Sequence, residues 1–179
     1  MGLGNPGEEY ERTRHNVGFL LADRLAGGET WKWFENDLGL WAKVGSFYVL
    51  KPMTYMNGSG DCVQPFAHFY KIKPEETLVV YDDIALPLGR LRIRPSGSAG
   101  GQKGMKSIID RLGTDRIPRL RIGIGPQPSF MDSAAYVLQR FRASEEPALD
   151  ESLSRAESAV RDLEDSALDA VMNRYNPKE

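Results

Sequence analysis

The chain has 179 residues, of which 41% are hydrophobic and 27% charged, and its net charge is −2. This composition excludes a disordered or fibrous protein and predicts one compact domain over residues 1–179. No apolar run approaches the ~20 residues of a membrane-spanning helix, and the glycine-rich start does not resemble a secretory signal. The single cysteine, Cys62, excludes an intrachain disulfide, which is compatible with a reducing cytoplasm.

Positive charge is concentrated in one segment of the chain. Residues 88–123 hold nine lysines and arginines against two aspartates, a charge of +7, so the remaining residues sum to −9. Such a segregation suggests a polyanionic partner on one face of the protein. The alternative is a set of solvated charges that pairs with the acidic remainder of the chain.

The chain opens with a glycine-rich loop, Gly2 to Gly7, whose spacing matches the G-x-G-x-x-G fingerprint of dinucleotide-binding proteins. We reject that interpretation because no full strand precedes the loop and because Pro6 removes a backbone donor. A polar loop that presents Asn5 fits better. The apolar spacing from Asn16 to Leu25 predicts a helix, so His15 lies at the start of that helix.

A β-hairpin is predicted next. The runs 40–44 and 47–50 flank Gly45-Ser46, which suits a tight turn, and this antiparallel pair makes the sheet mixed. The segment 53–60 follows the second strand directly, and its aromatic, thioether and amide groups predict a pocket wall. As an alternative, Asn57 or Ser59 is simply a helix N-cap.

The central element is the stretch Leu78–Pro87. Its apolar run stops at Asp82 and Asp83, which predicts a buried parallel strand with carboxylates at its C-terminal end, where ligands of open α/β sheets bind. The chain offers two histidines as partners for Asp82. Because His68 lies on a predicted helix without catalytic neighbours, we expect Asp82 to meet His15.

The second half of the chain predicts further strands and helices. The run 91–93 predicts a strand with three alternating arginines on one face, which suits phosphate binding. The glycine-rich loop 95–104 opens a helix and offers backbone amides to an oxyanion or phosphate. Residues 120–124 predict another strand, and about 144–175 a helical C-terminal part. The predicted fold class is α/β, a single globular domain with a central mixed, mostly parallel, twisted sheet flanked by helices.

Taken together, these motifs resemble the bacterial peptidyl-tRNA hydrolase family over essentially the whole chain. The residues that carry the resemblance, in the family's order and spacing, are Gly2-Leu3-Gly4-Asn5-Pro6-Gly7, Tyr10, Thr13-Arg14-His15-Asn16, Met56-Asn57-x-Ser59-Gly60, Tyr81-Asp82-Asp83 and the run from Arg119 to Gly125. The main departure is Gly100-Gly101-Gln102-Lys103-Gly104, where the family usually has Gly-Gly-His-Asn-Gly.

The resemblance implies an esterase that cleaves the bond between an N-blocked peptide and tRNA in ribosome-free peptidyl-tRNA, using histidine-activated water and neither a metal nor a cofactor. It implies that His15 is the general base, that Asp82 orients it, and that Asn5 discriminates blocked from free aminoacyl groups. The implied substrate-binding residues at the peptide and tRNA 3′ end are Tyr10, Tyr55, Met56, Asn57 and Lys103, and those on the tRNA backbone are Arg94, Lys106 and Arg121.

The resemblance also implies a cytoplasmic monomer with peptidyl-tRNA as its partner and with no membrane or obligate protein partner. The main alternative is a non-catalytic RNA-binding protein of the same fold, like the chloroplast splicing factor that resembles this family. Such a protein would keep the basic face, but it has no need of Asn5, His15, Asn57 and Asp82 together. A small-molecule esterase that uses the same pair is a third alternative, distinguished by whether activity requires tRNA.

Overall fold

The structure, a computed structural model, describes residues 1–176. Its helices and strands, in chain order, are α1 (Val17–Ala26), β1 (Lys32–Phe34), β2 (Gly39–Val44), β3 (Phe47–Pro52), α2 (Ser59–Tyr70), β4 (Val79–Pro87), β5 (Leu91–Arg94), α3 (Lys103–Leu112), β6 (Arg119–Gly125), α4 (Ser133–Val137), α5 (Glu146–Asp162) and α6 (Leu168–Tyr175). Turns of 3₁₀ helix lie at Arg14–Asn16, Met56–Gly58 and Pro74–Glu76. Helices α5 and α6 fall within the predicted helical part, about 144–175. The predicted domain 1–179 includes residues 177–179, which lie outside the described part. None of the helices in residues 1–176 is long and apolar enough to cross a membrane.

The strands form two three-stranded sheets. One is mixed, in the order β4-β6-β5, with β4 parallel and β5 antiparallel to β6. The other is antiparallel, in the order β1-β2-β3. The predicted α/β class with a mixed sheet and flanking helices is confirmed. The hairpin β2-β3, however, belongs to the antiparallel sheet. The expectation of mostly parallel strands is wrong, because β4 and β6 are the one parallel pair among the strands of the described residues.

Residues 1–3 join the two sheets. The Gly2 N–H donates to the Leu50 carbonyl of β3 at 3.0 Å. On the other side, the Leu3 N–H donates to the Val80 carbonyl of β4, and the Val80 N–H donates to the Met1 carbonyl, both at 2.9 Å. These residues therefore take the place of a short strand between the sheets, which explains how the hairpin connects to the mixed sheet without pairing with it.

The mixed sheet has an apolar layer on each face, because successive residues of a strand point to opposite sides. Val80 and Ile122 belong to a buried cluster that includes residues of α1 and α5. Val79 and Tyr81 belong to a second buried cluster that includes residues of α2 and α3. The mixed sheet is therefore the middle layer of the molecule, and both faces of β4 are covered by helices.

Strand β4 does not end at its two carboxylates. The sequence places Asp82 just beyond the strand, but the pairing with β6 continues through Asp82, opposite Ile122, and Asp83, opposite Gly123. A strand is held by its backbone bonds, so polar side chains that find partners do not terminate it. The expected position of Asp82 at the strand end is therefore wrong: Asp82 lies inside β4 and is 5% exposed.

Gly18 allows α1 to approach the sheet closely. A Cβ at this position would lie 2.4 Å from the Leu3 nitrogen and 2.5 Å from the Val80 carbonyl oxygen. Both are backbone atoms of the layer beneath the helix, so they cannot move aside as a flexible side chain can. Because of this close contact, the first turn of α1 packs directly against the backbone of β4, and the turn that precedes α1 lies beside it.

We expect Gly18→Ala to lower the free energy of unfolding by about 1–3 kcal/mol, because the added methyl group overpacks this contact. Gly28→Ala is the matched control, since a Cβ there meets no atom within 4 Å, and it should change stability by less than about 0.5 kcal/mol. Urea titrations followed by circular dichroism measure both variants. Equal stability of the two would contradict the close packing of α1 on β4.

Candidate active site

The structure brings His15 and Asp82 together. His15 Nδ1 lies 2.8 Å from Asp82 Oδ2, and the side chains are 15% and 3% exposed. An ionised carboxylate only accepts hydrogen bonds, so Nδ1 carries the proton of this contact. In the neutral imidazole Nε2 is then unprotonated and able to accept a proton. The pair thus has the geometry of a histidine base oriented by a buried carboxylate.

Arg14 anchors the turn that carries His15. It is 2% exposed, and its guanidinium lies over the rings of Tyr136 and Phe141, at 4.7 and 4.8 Å from the ring centroids. Its Nη2 donates to Glu145 Oε2 at 2.7 Å. A guanidinium between two aromatic faces and a carboxylate is held in place by both charge and packing. The sequence motif contains Arg14, but no signal in it indicated this buried role.

Asn16 anchors the other side of the same turn, on the N-terminal loop. The Asn5 N–H donates to Asn16 Oδ1, and Asn16 Nδ2 donates to the Asn5 carbonyl, both at 2.9 Å. Asn5 Oδ1 in turn accepts from the Met56 N–H at 2.8 Å, which fixes the orientation of its amide. Asn5 Nδ2 has no hydrogen-bond acceptor among residues 1–176, so this donor is available for a ligand.

Gln102 contacts the second oxygen of Asp82. Its Nε2 lies 3.3 Å from Asp82 Oδ1 and 3.1 Å from Met56 Sδ. Its Oε1 accepts from the Met105 N–H at 2.7 Å, so Gln102 is also the N-cap of α3. The sequence motif marked residues 102–103 as a departure from the family, but the interpretation rested on Lys103 and missed Gln102.

The residues expected to bind substrate differ in exposure. Tyr10 and Tyr55 form an edge-to-face pair with centroids 6.4 Å apart, and Tyr55 is 56% exposed with a positive φ of 56°. Positive φ is uncommon for a non-glycine residue and is often found at functional sites. Met56 is only 3% exposed and belongs to the second buried cluster of the core. Asn57 and Lys103 are exposed and line a polar groove beside α3. Their roles in binding stay predictions.

The arginines of β5 and β6 lie side by side. Arg92 is opposite Arg121, and Arg94 is opposite Arg119, and opposed residues in an antiparallel pair point to the same face. Arg121 also donates to Asp83 Oδ2 at 2.9 Å. Arg119, in contrast, is 2% exposed and donates to four main-chain carbonyls. One of the nine cations of the basic segment is therefore structural.

Two other reactive side chains, Cys62 and His68, lie on α2. Cys62 is buried, and burial raises the pKa of its thiol to about 12. His68 is exposed on α2. Within residues 1–176, no three His, Cys, Asp or Glu side chains are grouped closely enough to hold a metal ion.

The fold and the site define an α/β protein with a histidine hydrogen-bonded to a buried carboxylate. A family model described as "Peptidyl-tRNA hydrolase" matches residues 1–179. The peptidyl-tRNA hydrolase of Elusimicrobium minutum is 48% identical over 182 residues, covering 98% of this chain and 97% of the relative. That of Chloroflexus aurantiacus is 48% identical over 183 residues, covering 99% and 97%. The crystal structure of peptidyl-tRNA hydrolase from Acinetobacter baumannii, 35% identical, matches with a TM-score of 0.87 over 99% of this chain and 93% of that chain. The chain belongs to the peptidyl-tRNA hydrolase family.

The family membership confirms the resemblance inferred from the sequence motifs. The relatives and the solved structure that match over nearly the whole chain are named as hydrolases. The comparisons therefore support a catalytic protein and give no support to the non-catalytic RNA-binding alternative.

The Arg14–Glu145 pair predicts a pH dependence of stability. Burial raises the pKa of Glu145, but hydrogen bonds from the Arg14 side chain and the Arg142 backbone outweigh it, so the pKa is lowered. A carboxyl group with a lowered pKa stabilises the fold above its unfolded pKa and loses that contribution as pH falls through the folded one. We therefore expect Glu145→Gln to lower the free energy of unfolding at about pH 7, and the difference from wild type to shrink below about pH 4.

Denaturant titrations across this pH range measure the difference. Glu146→Gln is the control, because Glu146 forms an exposed ion pair with Arg12, and exposed pairs contribute little. A Glu145→Gln difference that stays constant with pH would show that the carboxylate does not stabilise the Arg14 anchor.

Proposed function

We propose that the protein hydrolyses the ester joining an N-blocked peptide to the 3′ end of tRNA, with His15 as the general base. The observation that carries the proposal is the 2.8 Å contact between His15 Nδ1 and Asp82 Oδ2, in a chain whose family model is named for this activity. The substrate is ribosome-free peptidyl-tRNA, and the products are free tRNA and a peptide with a new carboxyl group.

The chemistry follows from the orientation of the imidazole. His15 Nε2 accepts a proton from water while the water oxygen forms a bond to the ester carbonyl carbon, and the carbonyl oxygen takes the negative charge. When this intermediate collapses, the bond to the ribose oxygen breaks and the proton on Nε2 passes to that oxygen. Asp82 accepts the Nδ1–H hydrogen bond throughout and stabilises the imidazolium. A base of this kind contributes ~10² to 10⁴ in rate.

Asn5 is the proposed source of specificity for blocked substrates. Its Nδ2 donor is held in one orientation by the Met56 N–H bond to Oδ1. A blocked aminoacyl group carries an amide carbonyl on its α-nitrogen, and that carbonyl oxygen accepts a hydrogen bond from such a donor. A free aminoacyl group carries an ammonium there, which donates but cannot accept. The fixed donor therefore favours the blocked substrate.

The surroundings of the pair suit the 3′ end of the substrate. We propose that the half-buried Tyr10 and the exposed Tyr55 supply stacking surface for the terminal base. Asn57 and Lys103 complete the proposed substrate-binding surface, and the buried Met56 supports it from the core. Because Asn5, His15 and Asp82 all come from one chain, we propose that the protein acts as a monomer, in the cytoplasm where peptidyl-tRNA is produced.

His15→Ala should lower kcat for N-acetyl-aminoacyl-tRNA by ~10² to 10⁴, with KM within about twofold of wild type, because the base acts on water rather than on binding. His68→Ala, the other histidine, is the matched control and should keep wild-type kcat. Release of tRNA from a labelled substrate measures both, with the free-amino aminoacyl-tRNA as the counter-substrate. Wild-type cleavage by His15→Ala would overturn the mechanism.

The proposed contacts to the tRNA backbone come from Arg94, Lys106 and Arg121. Arg94 and Lys106 are exposed, although Lys106 also pairs with Asp110 at 2.6 Å. Such an exposed pair is weak, so a phosphate can replace its carboxylate. The Arg121 side chain is 31% exposed and is bonded to Asp83. The proposed backbone contacts therefore come from three elements, β5, α3 and β6.

Replacing Arg94, Lys106 and Arg121 by glutamine should reduce the slope of log affinity for tRNA against log salt by ~2 to 3, at ~0.7 to 0.9 per phosphate contact. Filter binding at several salt concentrations measures the slope. The control replaces Lys43, Lys71 and Lys73, exposed lysines outside the basic segment, and should leave the slope unchanged. Equal slopes for both triple variants would assign the three cations to ordinary solvated charge.

A further inference from the structure

We propose that Gln102 is a positioning residue for Asp82. Its amide N–H holds Asp82 Oδ1, so that Oδ2 faces His15 Nδ1. The inference rests on the proposed function, because it assigns Gln102 to the same reaction. Gln102 does not touch the reacting atoms; it acts through the carboxylate that orients the base.

The Asp82 carboxylate needs such a partner. The terminal torsion of an aspartate side chain has a broad, roughly two-fold preference, so packing alone does not fix the plane of the carboxylate. Hydrogen bonds to both oxygens fix it. His15 bonds to one oxygen at 2.8 Å and Gln102 to the other at 3.3 Å. With both donors in place, rotation of the carboxylate away from His15 breaks two bonds.

The orientation of the Gln102 amide is determined by its helix-capping bond. A backbone N–H only donates, so the atom 2.7 Å from the Met105 nitrogen is the amide oxygen. The amide nitrogen then faces Asp82 Oδ1 and Met56 Sδ. The backbone of Gln102 is held as well, since its N–H donates to the Ala99 carbonyl at 3.0 Å. The donor is therefore fixed before a substrate arrives.

The two donors reach Asp82 from different layers. His15 precedes α1, whose buried residues pack in one cluster of the core, and Gln102 caps α3, whose buried residues pack in the other. The carboxylate thus ties the beginnings of both helices to β4. A rival explanation is that Gln102 is only a helix cap. The cap uses Oε1 and the Asp82 contact uses Nε2, so substitution can separate the two roles.

Gln102→Glu separates them without changing side-chain length. The variant keeps an oxygen for the Met105 N–H, but it places a second acceptor against Asp82 Oδ1 where a donor stood. We expect kcat for N-acetyl-aminoacyl-tRNA to fall by about tenfold or more, KM to stay within about twofold, and the melting temperature to stay within about 2 °C of wild type. Unchanged kcat in the folded variant would show a cap only and would overturn the proposal.

The decisive measurement repeats the substitution in an Asp82→Asn background. There the side-chain amide at position 82 donates to the new carboxylate at position 102, so donor and acceptor have exchanged places. We expect Gln102→Glu to change kcat by less than about twofold in this background, or to raise it. A fall as large as in the wild-type background would mean that the two residues act independently, which also overturns the proposal.

Gln102→Asn keeps the experiment decisive if Gln102→Glu fails to fold. It has the same amide and caps a helix well, but one methylene group fewer to reach Asp82, so kcat should fall about threefold to tenfold with KM unchanged. Wild-type kcat in Gln102→Asn would contradict the proposal.

The wild-type protein distinguishes failure of the proposed function from failure of this inference. If it does not cleave N-acetyl-aminoacyl-tRNA, the proposed function fails. If it cleaves the substrate and substitutions of Gln102 leave kcat unchanged, only this inference is rejected.

Discussion

The burial of the Asp82 carboxylate is the constraint on which the rest of the site depends. Burying a charged carboxylate inside a protein costs on the order of several kcal/mol unless hydrogen-bond donors surround it. Here the backbone of β4 fixes its position, because pairing with β6 continues through Asp82. The fold must then bring donors to that point, and it does so with the beginnings of two helices, through His15 and Gln102.

The position of the histidine is determined by a different feature: its neighbours in sequence are buried. Arg14 and Asn16 are 2% and 1% exposed and flank a residue that stays open to one side. Arg14 fastens the turn to the segment before α5 through Glu145, and Asn16 fastens it to the N-terminal loop through Asn5. Because these anchors lie in distant parts of the chain, the position of the imidazole depends on the whole fold and not on one loop.

The sequence was sufficient for the main pair and insufficient for its surroundings. With two histidines in the chain and an apolar run ending in carboxylates, the contact of His15 with Asp82 was predictable. The position of Asp82 inside β4 was not, because hydrophobicity cannot show that backbone pairing continues past a polar residue. The separation of the hairpin from the mixed sheet involves long-range bonds made by Gly2 and Leu3, which local patterns do not contain. The reach of Gln102 to a residue 20 positions away is of the same kind.

The adjacent carboxylates Asp82 and Asp83 connect one strand to both the proposed catalytic pair and the proposed tRNA-binding surface. Successive residues of a strand are about 3.3 Å apart along the strand axis and point to opposite faces of the sheet. Asp82 faces His15, while Asp83 accepts a hydrogen bond from Arg121, one of the cations proposed to bind the tRNA backbone. The His15–Asp82 pair and one of the proposed phosphate contacts are therefore tied to consecutive residues of the same strand. Their separation is set by the backbone of β4, which pairs with β6 through both aspartates, and not by the conformation of a loop.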